Sequence, residues 1–345
     1  MDDAAMDDAA RDAAMDEAVR PLLAELPEPD EGAVAAVRAR AGQVLRPTGA
    51  LARLDEVAAW LAGWQRTERP RVERPAAVVF AADHGVAADG VSAYPAEVTA
   101  AMVRALRDGV ATASVMARHL GVRLSIVDVG VGRPSANLRL EPALSPSRFG
   151  ECFEAGRRAV ADLEADLLVL GEMGIANTTP AAAVCAALFG GPAEAWTGRG
   201  TGVDDAGLVR KVAVVEAARR RLVDGAGPIE ILRQVSGPEL VALAGATLEA
   251  RRRSIPVLLD GFVVTAAVAP LELARPGALD HCLAGHCSGE PGHRLLLARL
   301  GKTPLLDLGL RLGEASGALA ALPLVKLAAA CVTEVATFAE WGLER

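Results

Sequence analysis

The stretch DLLVLGEMGIANTTPAAA, Asp166 to Ala183, decides the fold class. Its apolar run Leu167–Leu170 is uninterrupted, the pattern of a strand covered on both faces rather than half exposed. A turn carrying Gly171 and Gly174 follows. The chain then restarts as a helix whose first turn accepts Pro180, because the N–H that proline lacks has no helical partner there. A strand running through such a turn into a helix aims backbone N–H groups beyond the strand's carboxyl end, which suits an anion or a ribose. Glu172 is the unusual member. A carboxylate repels a bare phosphate, so it should face a hydroxyl, a cation or a developing positive charge. The expectation is a nucleotide enzyme whose chemistry involves a cationic centre.

Working outward from this unit, apolar runs at Ala77–Phe80, Leu124–Val129, Val257–Leu259 and Pro304–Leu308 predict further strands with helices between them. Right-handed crossovers then give a parallel sheet. The fold class is α/β, with a Rossmann-like, mostly parallel sheet carrying helices on both faces. Residues 20–66 predict two or three amphipathic helices with Trp60 and Trp64 on one side, and Ala315–Leu343 reads as one long helix. Packing the chain ends together makes a small helical domain of residues 20–70 and 320–345 beside a large α/β domain over 71–319. Arg66–Pro75 is the linker. Residues 1–19, an acidic Asp/Ala/Met repeat with little to bury, are expected to form a disordered tail.

Apolar residues make up 52% of the 345, but aromatics only 3%, so Ala, Val and Leu must build the interior. A net charge of −8 argues against nucleic acid or an anionic membrane as partner. The cysteines, at 152, 185, 282, 287 and 331, are scattered and odd in number, which reads as reduced thiols in a cytoplasmic protein. The start, MDDAAMDD, lacks the basic-then-apolar pattern of an export signal. The apolar window Ala318–Phe338 contains Lys326 and Glu334, so a buried helix is expected rather than a membrane span. Only three of the 36 basic residues are lysines, and Lys211 lies near a glycine-rich segment where a compact point charge would serve a phosphate.

Five segments share one layout, an apolar stretch running into glycine or polar residues: Asp83–Pro95, Gly171–Thr179, Gly198–Gly202, Leu259–Gly261 and Gly309–Gly317. On an open parallel sheet such loops gather along one edge, where ligands bind. Gly198–Gly202, followed by Asp204, Asp205 and Lys211, reads as a second phosphate cradle or, more simply, as a flexible loop with a helix cap. It lacks the Gly-Lys-Ser/Thr ending of a Walker loop. Glu314 is either a first-turn acid favoured by the helix dipole or a base whose burial raises its pKa toward the working range. His281–His293 holds three of the five histidines and two cysteines, yet its spacings fit no common zinc signature. A ligand-facing loop with Ser288 near a phosphate is expected instead. Tyr94, the single tyrosine, is an exposed loop aromatic or a platform for a planar ring.

Taken together, FAADHGVAADGVSAYPAEVTA (80–100), GEMGIANTT (171–179), LDGF (259–262), EPGH (290–293) and RLGEASGA (311–318) resemble one family, in order, over roughly residues 20–345. It is the nicotinate-nucleotide–dimethylbenzimidazole phosphoribosyltransferase family of cobalamin lower-ligand synthesis. The resemblance implies transfer of phosphoribose from nicotinate mononucleotide to 5,6-dimethylbenzimidazole, a homodimer, and no metal or organic cofactor. By motif position it implies Glu314 as catalytic base, with Glu172 holding ribose hydroxyls or stabilising a cationic transition state. It likewise places Val91, Tyr94, Met102 and Leu312 around the benzimidazole. The nucleotide falls to Met173, Gly174, Asn177, Gly200, Lys211, Asp260 and Ser288. The chain departs from the family pattern at Tyr94 and Met102, which bears on the preferred base, and at His281, Cys282 and Cys287.

Two other classes are weaker. A non-catalytic nucleotide-binding protein on the same scaffold would not need Glu172 and Glu314, and both are present. A dehydrogenase would show Gly-x-Gly-x-x-Gly after the first strand, where this chain has none. The acceptor base stays open within the family reading: another benzimidazole, a purine or a phenol would meet the same requirements.

Overall fold

Every residue of β1 (Pro75–Ala82) is buried, as a strand covered by helices on both faces requires. The computed structural model describes residues 19–223 and 225–344, so all but Val19 of the expected acidic tail lies outside the described residues. Before β1 come helical residues 19–24, then α1 (Glu31–Ala41) and α2 (Arg53–Gln65). After it follow α3 (Val98–Arg107), α4 (Thr112–Leu120), β2 (Arg123–Gly130), α5 (Pro146–Ala161) and β3 (Leu167–Met173). Next are α6 (Thr178–Phe189), the short α7 (Ala193–Trp196), α8 (Asp205–Arg221), α9 (Pro228–Val235) and α10 (Pro238–Arg252). The chain closes with β4 (Val257–Leu259), α11 (Phe262–Ala274), β5 (Cys282–Ala284), α12 (Pro291–Arg299) and α13 (Ser316–Thr333).

The five strands are parallel, in the order β2-β1-β3-β4-β5. The chain moves outward from β1 to β2, then restarts on the other side at β3. That reversal between β1 and β3 is the topological switch point, where crossovers leave in opposite directions and a crevice opens beyond the carboxyl ends.

The period of two along each strand sorts the core into two layers. Val78, Phe80, Leu168, Leu170, Val257 and Leu259 face one side and pack with α5, α6, α9, α10 and α11. Ala77, Val79, Leu167, Val169 and Leu258 face the other and pack with α1, α2, α4 and α13. Helices from both chain ends therefore share one face of the sheet. They are also clasped directly: Val44 bridges Thr337, and Arg40 reaches Val332 O, Val335 O and Glu340.

Two sequence expectations need correction. Pro304–Leu308 is not a strand: Pro304 has no N–H to give a ladder, and only Leu306 forms a bridge, to His286. The fifth strand is instead Cys282–Ala284, three residues inside the His/Cys-rich segment. The expected helix Ala315–Leu343 stops at Thr333, where the chain turns to reach Val44. Ser316–Thr333 is long and apolar enough to cross a membrane, yet more than half of it is buried against the sheet and the N-terminal helices.

Candidate active site

The crevice at the switch point is a cavity of about 420 Å³, walled by the loops that follow β1, β3, β4 and β5 and by the segment entering α13. β3 carries its pairing with β1 as far as Met173, opposite Ala81, so Glu172 is still held by strand geometry. Ala176 then takes a left-handed conformation (φ 77°) and the chain turns into α6. Asn177, just before that helix, donates its side-chain amide to Glu172 Oε2.

Glu314 arrives by a different route. Gly313, Glu314 and Ala315 are three consecutive residues in the left-handed region, with φ of 84°, 61° and 70°. Two of them carry side chains, and such positions cost of order 1–3 kcal/mol each unless their surroundings enforce them. The enforcement is visible. Glu314 N donates to Glu172 O at 3.1 Å, and Asp260 accepts from Ala315 N at 3.1 Å and Ala318 N at 2.9 Å. Gly171 lies so close to Ala315 that any side chain there would strike the backbone of the turn.

Both carboxyls line the cavity and both are nearly out of solvent, Glu172 at 8% exposure and Glu314 at 2%. Burial pushes the Glu172 carboxyl up to about 8; Asn177 opposes this, while the charges of Glu239, Asp260 and Glu314 add to it. Burial also raises Glu314, against the amide of Ala113 at the start of α4. Oε2 of Glu314 is buried with no hydrogen-bond partner among the described residues. The wall that Glu314 shares also carries the largely apolar side chains of Tyr94, Val98, Met102 and Leu312.

The structure brings Glu172, Met173, Gly174, Asn177, Gly200, Ser288, Tyr94, Met102, Leu312 and Glu314 together on this one cavity wall. Three expected members are not on it. Val91 is buried in the core behind the loop after β1. Asp260 is fully buried and holds the amide groups of the Glu314 turn, so it acts on the turn rather than on a ligand. Lys211, 1% exposed, lies beneath Gly200 and gives its ammonium to Thr178 Oγ1 at 2.8 Å; burial pulls it down to about 8, against the charge of Glu290. Gly198–Gly202 is likewise no open cradle, because Gly200 N already donates to Glu290 Oε1 at 2.8 Å.

Apart from His286, which lines the cavity, the histidines and cysteines of 281–293 serve the scaffold. His281 contacts Thr247 O. Ser288 N donates to His293 Nδ1 at 2.8 Å, which leaves the proton on Nε2 to meet Thr265 Oγ1 at 3.1 Å. Burial, with His286 and Arg294, takes His293 down to about 3, so it is a neutral prop for Ser288. Among the described residues no group of three or more His, Cys, Asp or Glu is arranged to hold a metal ion.

Sequence reading missed Thr178, Phe262, His286, Glu290 and Arg311 on the wall, and Glu239 behind it. Arg311, Glu290 and Phe262 lie within the motifs quoted above, so their signal was present. Glu239 had none: an acid just after Gly237-Pro238 looks like an ordinary first-turn helix residue.

A family model described as a phosphoribosyltransferase matches residues 26–343. A nicotinate-nucleotide–dimethylbenzimidazole phosphoribosyltransferase from Methylorubrum extorquens is 50% identical over 319 residues, covering 92% of this chain and 93% of its own length. One from Ruegeria pomeroyi is 50% identical over 326 residues, covering 94% and 96%. The crystal structure of CobT from Thermus thermophilus matches with a TM-score of 0.87 at 45% identity, covering 91% of this chain and 99% of that one.

Proposed function

The chain belongs to the nicotinate-nucleotide–dimethylbenzimidazole phosphoribosyltransferase family, and on that premise we propose how its cavity moves phosphoribose from nicotinate mononucleotide to 5,6-dimethylbenzimidazole. The products are nicotinate and the α-ribazole 5′-phosphate used in cobalamin synthesis. The bond that breaks joins C1′ to a pyridinium nitrogen. Nicotinate leaves with the electron pair and needs no acid. The bond that forms uses the lone pair of one imidazole nitrogen, entering from the opposite face with inversion at C1′. As it forms, the N–H on the other nitrogen becomes acidic and passes its proton to Glu314.

The observation that carries this reading is the buried Oε2 of Glu314, without a partner among the described residues, on a cavity wall that also carries Tyr94, Val98, Met102 and Leu312. A ring N–H is what such an acceptor lacks, and burial, by raising the carboxyl, makes it a stronger base toward that proton. Glu172 faces the ribose and stabilises the oxocarbenium character that develops at C1′. Met173, Gly174 and Asn177 flank it. Ser288, and Arg311 with no ion pair among the described residues, take the phosphate end. Lys211 acts at one remove, through Thr178. Tyr94, Met102 and Leu312 hold the base, with Val91 supporting from the core.

The reaction needs no cofactor. A homodimer fits the exposed side chains that Tyr94 and Leu312 present on the cavity wall, at 55% and 53% exposure. A cytoplasmic location fits the five unpaired cysteines. The clasped chain ends support treating residues 20–70 and 320–345 as a small helical unit beside the catalytic one.

The test is incubation of the purified protein with nicotinate mononucleotide and a panel of bases: dimethylbenzimidazole, other benzimidazoles, a purine and a phenol. Release of nicotinate together with an α-ribotide is expected, fastest with dimethylbenzimidazole. Nucleotide binding without release from any base would reduce the protein to a binder.

A further inference from the structure

Behind the cavity wall lies a chain of polar groups that the transfer itself does not use. Glu239, in the first turn of α10, is fully buried, and His84, two residues past the end of β1, is 2% exposed. His84 Nε2 and Glu239 Oε1 are 2.6 Å apart. The same Oε1 accepts from Asn177 Nδ2 at 3.2 Å, and Asn177 Nδ2 also donates to Glu172 Oε2. The order is His84, Glu239, Asn177, Glu172, from the core to the cavity.

The backbone makes room for this pair. A side chain at Gly174 would stand 2.9 Å from Glu239 Oε1 and 3.0 Å from His84 Nε2, and one at Gly237 would strike the His84 ring. Two glycines on different elements are thus committed to admitting a buried ionisable pair, a costly arrangement in an apolar core.

Resting on the reading proposed above, we infer that His84 and Glu239 are positioning residues for the transfer. They fix the Asn177 amide, which holds the Glu172 carboxyl and turns its own carbonyl toward the ribose hydroxyls. The chemistry of the amide enforces this. Its two N–H hydrogens are both taken by carboxyl oxygens, whereas a flipped amide would set Oδ1 against two acceptors. Oδ1 then has no partner among the described residues and belongs to a residue on the cavity wall. An acceptor so placed reads a hydroxyl.

The groups facing Glu172 are Asn177 from its own loop, Glu239 from α10, Asp260 after β4 and Glu314 from the turn before α13. Three are acids: Glu239 has His84 Nε2 behind it at 2.6 Å, Asp260 has His286 Nε2 at 3.5 Å, and Glu239 is the one that shares the Asn177 amide with Glu172. Removing its charge while keeping its shape should let Glu172 ionise at lower pH.

The experiment compares wild type with Glu239→Gln, measuring nicotinate release against pH and nucleotide concentration. Two changes are expected: the Glu172-dependent limb of the kcat profile moves down by about 1 pH unit, and KM for nicotinate mononucleotide rises by roughly 10-fold while KM for the base holds. A uniform loss of kcat, with the limb and both KM values unmoved, would overturn the inference. His84→Gln, which keeps a donor toward Glu239, is measured in parallel. It should retain the limb and raise KM for nicotinate mononucleotide by less than about 10-fold while KM for the base holds; a nucleotide KM equal to wild type would overturn the inference, even should Glu239→Gln fail to fold. Wild type releasing no nicotinate from any base would defeat the proposed function instead.

Discussion

Glu172 ends a regular strand, whereas Glu314 stands in the middle of three consecutive left-handed residues, and both face the same cavity. The first has its surroundings satisfied: an amide on one oxygen, buried acids around it, ladder hydrogen bonds beneath. The second has a strained backbone and an open oxygen. The difference teaches which carboxyl does what. A group meant to stabilise charge that appears and disappears should be held still. A group meant to take a proton should present an unpaired acceptor to its donor, and strain is tolerated where it aims that acceptor.

The comparison can be broken at its stronger end first. Glu314→Gln removes the base and keeps the volume; kcat should fall by about 100-fold or more, the scale of a lost general base. Equilibrium binding of nicotinate mononucleotide should be nearly unchanged. Retention of most of the activity would strip Glu314 of its role.

Glu172→Gln should be milder, lowering kcat/KM by roughly 10-fold, because the amide keeps the size and hydrogen-bonding shape of the carboxyl and loses only its charge. It carries a signature of its own. A pyridinium arriving beside a carboxyl poised at about 8 should drive off its proton. Calorimetry in buffers of different ionisation enthalpy should show proton release on nucleotide binding in wild type and its loss in the variant. No release in wild type would mean that Glu172 does not meet the cation.

The smallest effect is on stability, and its sign follows from linkage. The carboxyl titrates at about 8 when folded and at the ordinary 4.5 when unfolded. Between those values the folded state holds a proton that the unfolded state has lost, so stability falls as pH rises from about 4.5 to 8 and levels off above. Melting temperature in wild type should fall steadily over that window and flatten above it. Glu172→Gln should flatten the slope; an identical slope in the variant would mean the carboxyl ionises freely in the fold.

Legibility in the sequence followed the same divide between regular and irregular parts. β3 and its turn could be read because four apolar residues, two glycines and a helix start coincide in one short stretch. β5 could not, since three residues flanked by histidines and cysteines carry no period. Glu314 was legible by motif, but the left-handed turn presenting it was not, because alanine and glutamate give no warning of positive φ. Asp260 and Lys211 belonged to the right neighbourhood with the wrong orientation. Motif position says which residues gather, and only packing says which of them turn inward.

The clasp between the chain ends bears on how the protein is made. The sheet face under α13 needs Leu319, Leu322 and Val325 to complete its core, and these lie near the C-terminal end of the sequence. Glu314 is fixed to β3 by its own N–H, and the turn around it is pinned by Asp260. On the ribosome the chain is released N-terminus first. β1 to β5, with α1, α2 and α4, can therefore assemble while the patch of sheet under α13 stays bare and the cavity lacks its base. Catalytic competence is acquired in a single late step, when the last long helix docks and closes both at once.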